Sequence, residues 1–245
     1  MNVTTPLRLV FNPTGELLEA ARACEADVFL RTFGNTREEL RDEYGPYEDA
    51  SVFLALADPD DNVIAACRLI MPGASGLKTL NDASGSPWLV DGVRAGQAVG
   101  IDPSSAMDVA TIGVRADAGN LRMFAAAALY HGVIAAARQN GLRTLVMIMD
   151  ERARRLLTAT GLHTHRLPGT NAEPYLGSPA STPVFAHVAE MVDGQRRINP
   201  DAYRLITLGV GMDGVTLPEL EAFRLAERQP ASALSAAHSE PASRA

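Results

Sequence analysis

Glu43-Tyr-Gly-Pro-Tyr47-Glu48-Asp49, followed by Ser51-Val-Phe-Leu-Ala-Leu-Ala57, Asp58-Pro-Asp-Asp-Asn62 and Val63-Ile-Ala-Ala-Cys67-Arg68-Leu-Ile-Met-Pro72, is the stretch whose reading decides the fold. Two apolar runs flank a cluster of Asp, Pro and Asn, which reads as strand, tight turn, strand. Acids precede the first strand, and a lone arginine sits inside the second. An arginine in an apolar strand needs a partner, because an unpaired charge is costly away from water. Glu43, Glu48 and Asp49 are the candidate partners, and a substrate carboxylate is the other one. The hairpin therefore points to a polar site built beside a sheet.

Upstream, Leu17, Leu18, Ala21, Cys24, Val28 and Phe29 recur at a helical period over residues 16–33, with Thr14 as N-cap. Thr36-Arg-Glu-Glu39 has the form of a capping box and predicts a short helix to about residue 42. Downstream, residues 72–105 are rich in Gly, Pro, Ser and Asp and read as one long irregular segment lying over the site. A strand is expected over residues 107–114, a helix over 121–139 closed by Gly141, and a fully apolar central strand over 143–149. Asp150 caps a helix over 151–160 that Gly161 ends. Further strands are expected near 162–166 and 183–191, and weaker helices near 200–208 and 218–227.

The chain has 245 residues, enough for a full core, and a formal net charge of −7 with no dense Lys/Arg cluster. Nucleic-acid binding, which depends on neutralising phosphates, is not expected. No apolar run is long enough to span a bilayer, and residues 1–15 lack the pattern of a signal peptide, so the cytoplasm is the expected compartment without a membrane partner. Cys24 and Cys67 read as buried thiols. His163 and His165 alternate along a strand without further ligands at metal spacing, so no metal is expected.

The element order over residues 20–190 resembles the GNAT acyl-CoA N-acyltransferase superfamily. Within it, the chain looks like the branch of acyl-homoserine-lactone (autoinducer) synthases and long-chain N-acyl amino acid synthases. Arg22, Phe29, the Glu43…Tyr47-Glu48 block, Arg68-Leu69 with Pro72, and Met107-Asp108-Val-Ala-Thr-Ile112 carry the likeness. The chain departs from the autoinducer-synthase pattern at Gly45 in place of an acid, Asp108 in place of Glu, and Thr111 in place of an arginine. The acyl-carrier turn Arg115-Ala-Asp-Ala-Gly119-Asn120 has one extra residue before its glycine. Leu157 stands where GNAT enzymes place the tyrosine that protonates the leaving thiolate, with Tyr130 and His131 as possible substitutes.

The resemblance implies an α/β fold, a GNAT-like mixed central sheet flanked by helices in one domain over residues 1–228, with an Ala/Ser/Pro-rich disordered tail over 229–245. It implies an N-acyltransferase that moves an acyl group from acyl-CoA, or from an acyl-carrier protein (acyl-ACP), to a small amine or amino acid. Glu43, Asp108 and Glu48 are then the candidate catalytic acids, which bind a cationic amine or take its proton. Arg68, Tyr47 and Thr111 are candidates for substrate binding, and Val114, Arg115, Gly119 and Asn120 for the acyl carrier at the start of the long helix. Met71, Leu77, Leu80, Met147 and Met149 wall an acyl pocket or are simply core, and the Tyr175-Leu-Gly-Ser-Pro179 loop lines the acyl channel. Two other readings stay open. One is a GNAT-like domain that binds acyl-CoA or another small ligand without turnover. The other is an acyl-homoserine-lactone synthase with an altered site, disfavoured by Gly45 and Thr111.

Overall fold

The computed structural model describes residues 6–225; residues 1–5 and 226–245, the expected tail among them, lie outside it. The hairpin forms as its sequence dictates. Strands β2 (Ser51–Ala57) and β3 (Val63–Ile70) pair antiparallel. Asp58 holds the turn between them, its Oδ1 accepting from the amides of Asp60 and Asn62 at 2.9 Å each. Before β2 come β1 (Leu7–Phe11), α1 (Gly15–Phe33) and α2 (Arg37–Tyr44), the last opened by the capping box of Thr36 and Glu39. A 3₁₀ turn, Gly45–Ala50, joins α2 to β2.

After the hairpin come α3 (Lys78–Ser84), α4 (Gly92–Ala98), β4 (Ala106–Val114), α5 (Arg122–Gln139), β5 (Thr144–Asp150) and α6 (Glu151–Ala159). Strands β6 (His165–Arg166), β7 (Glu173–Tyr175) and β8 (Ser178–His187), helices α7 (Val188–Ile198) and α8 (Pro200–Ala202), and strand β9 (Val215–Thr216) complete the order. The nine-stranded sheet runs β6-β8-β5-β4-β3-β2-β1-β9, with β7 on β8. The β4–β5 and β1–β9 pairs are parallel and the others antiparallel. The molecule is a mixed α/β protein in one domain with helices on both faces of the sheet.

Both faces of the central strands are covered, which is why β2 reads as a continuous apolar run rather than an alternating one. Val52, Leu54 and Leu56 pack in the large cluster with α5, whereas Phe53, Ala55 and Ala57 pack against Ala21 and Cys24 of α1. Leu145, Met147 and Met149 of β5 lie on the α5 side, and Val146 packs with Leu77 and Leu80 on the opposite face.

Three expectations are corrected. Residues 72–105 are not one irregular segment: they contain α3, α4 and a 3₁₀ turn at Pro103–Ser105. Leu77, Leu80 and Ala83 recur at a helical interval and bury one face, a signal that the Gly and Pro content masked. Residues 188–191 are not strand but the first turn of α7, whose buried Val188, Met191, Val192 and Gln195 follow the helical period. The helix expected near 200–208 is present as α8 running into the π-helical turn Tyr203–Thr207, but the one expected near 218–227 is, among the described residues, only a 3₁₀ turn at Leu220–Phe223.

Candidate active site

Strands β4 and β5 pair at Ala106↔Thr144, Met107↔Leu145 and Asp108↔Val146, and the ladder ends there. On its other edge β4 carries a bulge, since Arg68 pairs with Thr111 and Leu69 with Val109. A bulge bends its strand, and Ala110, the extra residue, takes a 3.3 Å hydrogen bond on its carbonyl from the Tyr44 hydroxyl. Where the two strands part, a cavity of about 150 Å³ passes through the sheet. One end is apolar, lined by Val133 of α5, Leu145, Met147 and Met149 of β5, Leu157 of α6 and Met191 of α7. The other end, toward α3, is lined by Lys78, Thr79, Asp82, Asp108 and Tyr175.

Asp108 is the innermost acid of that end, 1 % exposed. Its Oδ2 accepts from the Thr79 amide at 2.6 Å and its Oδ1 from the Thr79 hydroxyl at 3.0 Å. Burial pushes the carboxyl up to about 7, against these two hydrogen bonds and Lys78, which pull it down. The group therefore changes protonation near neutrality, the range a general base uses.

Beside it, the Lys78 ammonium contacts Glu43 and Asp82 as ion pairs and the Tyr175 hydroxyl at 2.8 Å. Tyr175 donates to Asp82 at 2.5 Å, and its hydroxyl lies 3.2 Å from Glu43. Burial alone pulls Lys78 down, but its ion pairs with Asp82 and Glu43 outweigh that and hold it above its usual value, so it stays cationic. Burial and Asp82 push the Tyr175 phenol upward. The Leu176–Gly177 turn between β7 and β8, with φ of 44° and 79°, has the two-residue form that suits such a hairpin. A Cβ at Gly177 would lie 2.1 Å from the Phe33 carbonyl oxygen at the end of α1, so glycine alone lets this turn sit close enough to aim Tyr175 into the site. Trp88 stacks on Tyr175 with ring centroids 5.2 Å apart.

A second cluster lies on the same face of the sheet. Arg68 grips Glu25 of α1 with two bonds, Nε at 3.0 Å and Nη2 at 2.7 Å, and reaches Glu48 through Nη1 at 2.9 Å. Thr111 donates to Glu25 at 2.6 Å. Glu48 also pairs with Arg22. The Arg68 guanidinium lies 4.8 Å from the Tyr44 ring centre and 4.7 Å from that of Phe53. Lys78 approaches the same Tyr44 ring at 5.2 Å, so this one aromatic ring links the two clusters.

The residues singled out from sequence are thus distributed. Asp108 and Thr111 line the cavity, and Glu43 joins its edge through Lys78. Glu48 sits behind it on Arg68, and Asp49 is exposed on the 3₁₀ turn. The Tyr47 hydroxyl takes a 2.9 Å bond from Asn81 away from the cavity wall. Val114, Arg115, Gly119 and Asn120 lie at the β4-to-α5 turn and do not line the cavity; Arg115 pairs with Asp117 at 3.0 Å. Met147, Met149, Tyr130, Tyr175 and Leu176 line it, whereas Met71, Leu77 and Leu80 are core. His131 bonds the Ile206 carbonyl at 2.9 Å in the core, and His163 and His165 are exposed. Glu25, Lys78, Asp82 and Tyr44 escaped the sequence reading. Glu25 had a signal: it falls on the apolar face of α1 with Ala21 and Cys24.

No family model and no curated protein matches this chain. Solved structures do. BjaI, a CoA-dependent acyl-homoserine lactone synthase solved with SAM and isopentyl-CoA, aligns with a TM-score of 0.55 at 17% identity, over 89% of this chain and 96% of that one. FeeM, an N-acyl amino acid synthase from uncultured soil microbes, aligns with a TM-score of 0.57 at 14% identity, over 79% of this chain and 96% of that one. The fold is GNAT-like, of the autoinducer-synthase type. The turn before α5, where the sequence expectation placed the acyl carrier, lies apart from the cavity that opens between β4 and β5. Among the described residues no helix is long and apolar enough to cross a membrane, and no group of three His, Cys, Asp or Glu side chains is placed to hold a metal.

Proposed function

We propose that the protein is an N-acyltransferase that moves an acyl group from a CoA or acyl-carrier-protein thioester to a small amine. The observation that carries this reading is the cavity through the sheet, apolar at one end and bearing at the other a buried carboxyl raised to about 7. The apolar end suits the acyl chain, since burying each methylene is worth about 0.8 kcal/mol. The amine nitrogen attacks the thioester carbonyl carbon, and the carbon–sulfur bond breaks as the amide forms. Asp108 takes the proton the nitrogen loses, and the thiolate leaves with the carrier. Thr79 fixes the Asp108 carboxylate for this role by holding one lone pair on each oxygen. Val114, Arg115, Gly119 and Asn120 are the proposed seat of the carrier's phosphates, beside the N-terminal end of α5, whose dipole favours an anion. The cytoplasm is the proposed compartment.

A second reading, ligand binding without turnover, is favoured by Leu157, which puts hydrocarbon on the cavity wall where a GNAT tyrosine was expected. One experiment separates the two. The full-length protein is incubated with a panel of acyl-CoAs and amines, and free thiol is followed. Acyl transfer predicts thiol release that depends on the amine and falls at least about 100-fold in Asp108→Ala. Tight CoA binding without release for any amine would establish the second reading, and turnover undiminished in Asp108→Ala would overturn the site.

A further inference from the structure

The charges lining the cavity are unbalanced. Asp82, Asp108 and Asp150 line it, and Lys78 is the one cationic side chain to do so among the described residues. An ammonium has three donors, and those of Lys78 meet Glu43, Asp82 and the Tyr175 hydroxyl. Arg68 does not line the cavity and spends its donors on Glu25 and Glu48. Arg115 lies outside as well, tied to Asp117. No cationic donor is left to receive a substrate carboxylate. Acceptor capacity, by contrast, is spare. Asp82 receives both of its hydrogen bonds on Oδ2, so Oδ1 is open. Each Asp108 oxygen receives a single bond from Thr79.

We propose that the acceptor is an amine whose only charges are positive, a monoamine or diamine, and that α-amino acids are rejected. The chemistry rests on the acyl-transfer reading; the charge selection rests on the lining residues alone. The reacting nitrogen loses its first proton to solvent on entry and attacks as the neutral amine, giving the second to Asp108 as the amide forms, and a second ammonium, where the acceptor has one, pairs with Oδ1 of Asp82. An α-carboxylate brought into the same space would lose its water, find no cationic partner and face the Asp82 and Asp108 carboxylates. Like charges brought together without solvent between them discriminate by about 10³-fold. The Asp82 and Glu43 side chains keep 20% and 30% exposure, so solvent screening lowers the expected ratio to about 30-fold or more.

The test compares tyramine with tyrosine and putrescine with ornithine, using octanoyl-CoA as donor. Thiol release gives kcat/KM, and calorimetric titration of the same four compounds gives affinity without turnover. The decarboxylated member of each pair is expected to win by at least about 30-fold in kcat/KM and to bind more tightly. Asp82→Asn, checked for folding by thermal denaturation, is expected to narrow the ratio to below about 10-fold. An amino acid that equals or exceeds its amine overturns the inference. If no compound releases thiol but the amines still bind more tightly, the charge rule stands and the acyl-transfer reading falls. If neither member of either pair binds or reacts, both fall.

Discussion

Replacing Asp108 by asparagine should make the protein more stable at alkaline pH while removing its activity, and the size of the effect follows from where the carboxyl sits. In the folded chain it titrates near 7 rather than at its ordinary 3.8, because burial disfavours the charged form. A carboxyl raised in this way adds stability that is complete below about pH 4 and is lost as pH climbs through about 7. Binding one proton with those two affinities gives a fall of about 2.5 kcal/mol between pH 5 and pH 8. Asparagine keeps the shape, accepts from the Thr79 amide on its oxygen and donates from its NH₂ to the Thr79 hydroxyl, which rotates to receive it, and it does not titrate. Urea unfolding of both proteins across this range should therefore show the stability of Asp108→Asn relative to wild type rising by about 2–3 kcal/mol toward pH 8. Thiol release by the wild type should rise with pH through about 7 and be reduced at least about 100-fold in the variant. A stability difference that stays flat with pH would refute the buried, titrating carboxyl on which the mechanism depends.

Glu25→Ala leaves Arg68 buried with Glu48 as its one remaining carboxylate and is expected to cost about 3–5 kcal/mol in urea unfolding, whereas the double variant Glu25→Leu/Arg68→Met should recover most of that. Gly177→Ala puts a Cβ 2.1 Å from the Phe33 carbonyl oxygen at a φ of 79°, so thermal denaturation should show a loss of at least about 1–3 kcal/mol, and activity should fall as Tyr175 moves. Leu157→Trp fills part of the apolar end of the cavity, and the kcat/KM of lauroyl-CoA relative to butanoyl-CoA should drop about tenfold or more.

Much of the scaffold was legible because its signals are local. The hairpin announces itself through the Asp58–Asn62 cluster, α2 through its capping box, and α6 through Asp150, which accepts from the Arg152 and Ala153 amides. Arg68 stood out as a charge in an apolar strand, and Asp108 through the segment that resembles the synthases' own. The rest of the site was hidden because it is made by distance. Lys78 and Asp82 meet Tyr175, about a hundred residues later, and Glu43 only once α3 has packed over β4 and β5. The spacing of Lys78 and Asp82, one helical turn apart, was readable, but the surrounding glycines and prolines made the segment look like a loop. The end of β8 misled for the opposite reason: Val188 and Met191 are apolar in either periodicity, and four residues do not distinguish a strand from the first turn of a helix.

The substitution that the sequence marked as most damaging, Thr111 where the resembling synthases place an arginine, now has a structural consequence. Thr111 is short enough to leave its side of the cavity to Asp82 and Asp108, and its hydroxyl donates to Glu25, which in turn binds Arg68 through both carboxylate oxygens. An arginine at this position would bring a second cation against Arg68 and compete for Glu25. With threonine there, Arg68 is held by Glu25 and Glu48 behind the wall, and among the described residues the one cation left at the cavity is Lys78, already neutralised by two carboxylates. On the proposed reading, threonine in place of arginine and exclusion of a carboxylate-bearing acceptor are one feature read at two levels. Thr111→Arg should accordingly weaken the preference for amines over amino acids, and an undiminished preference in a folded Thr111→Arg protein would place the source of that selectivity elsewhere.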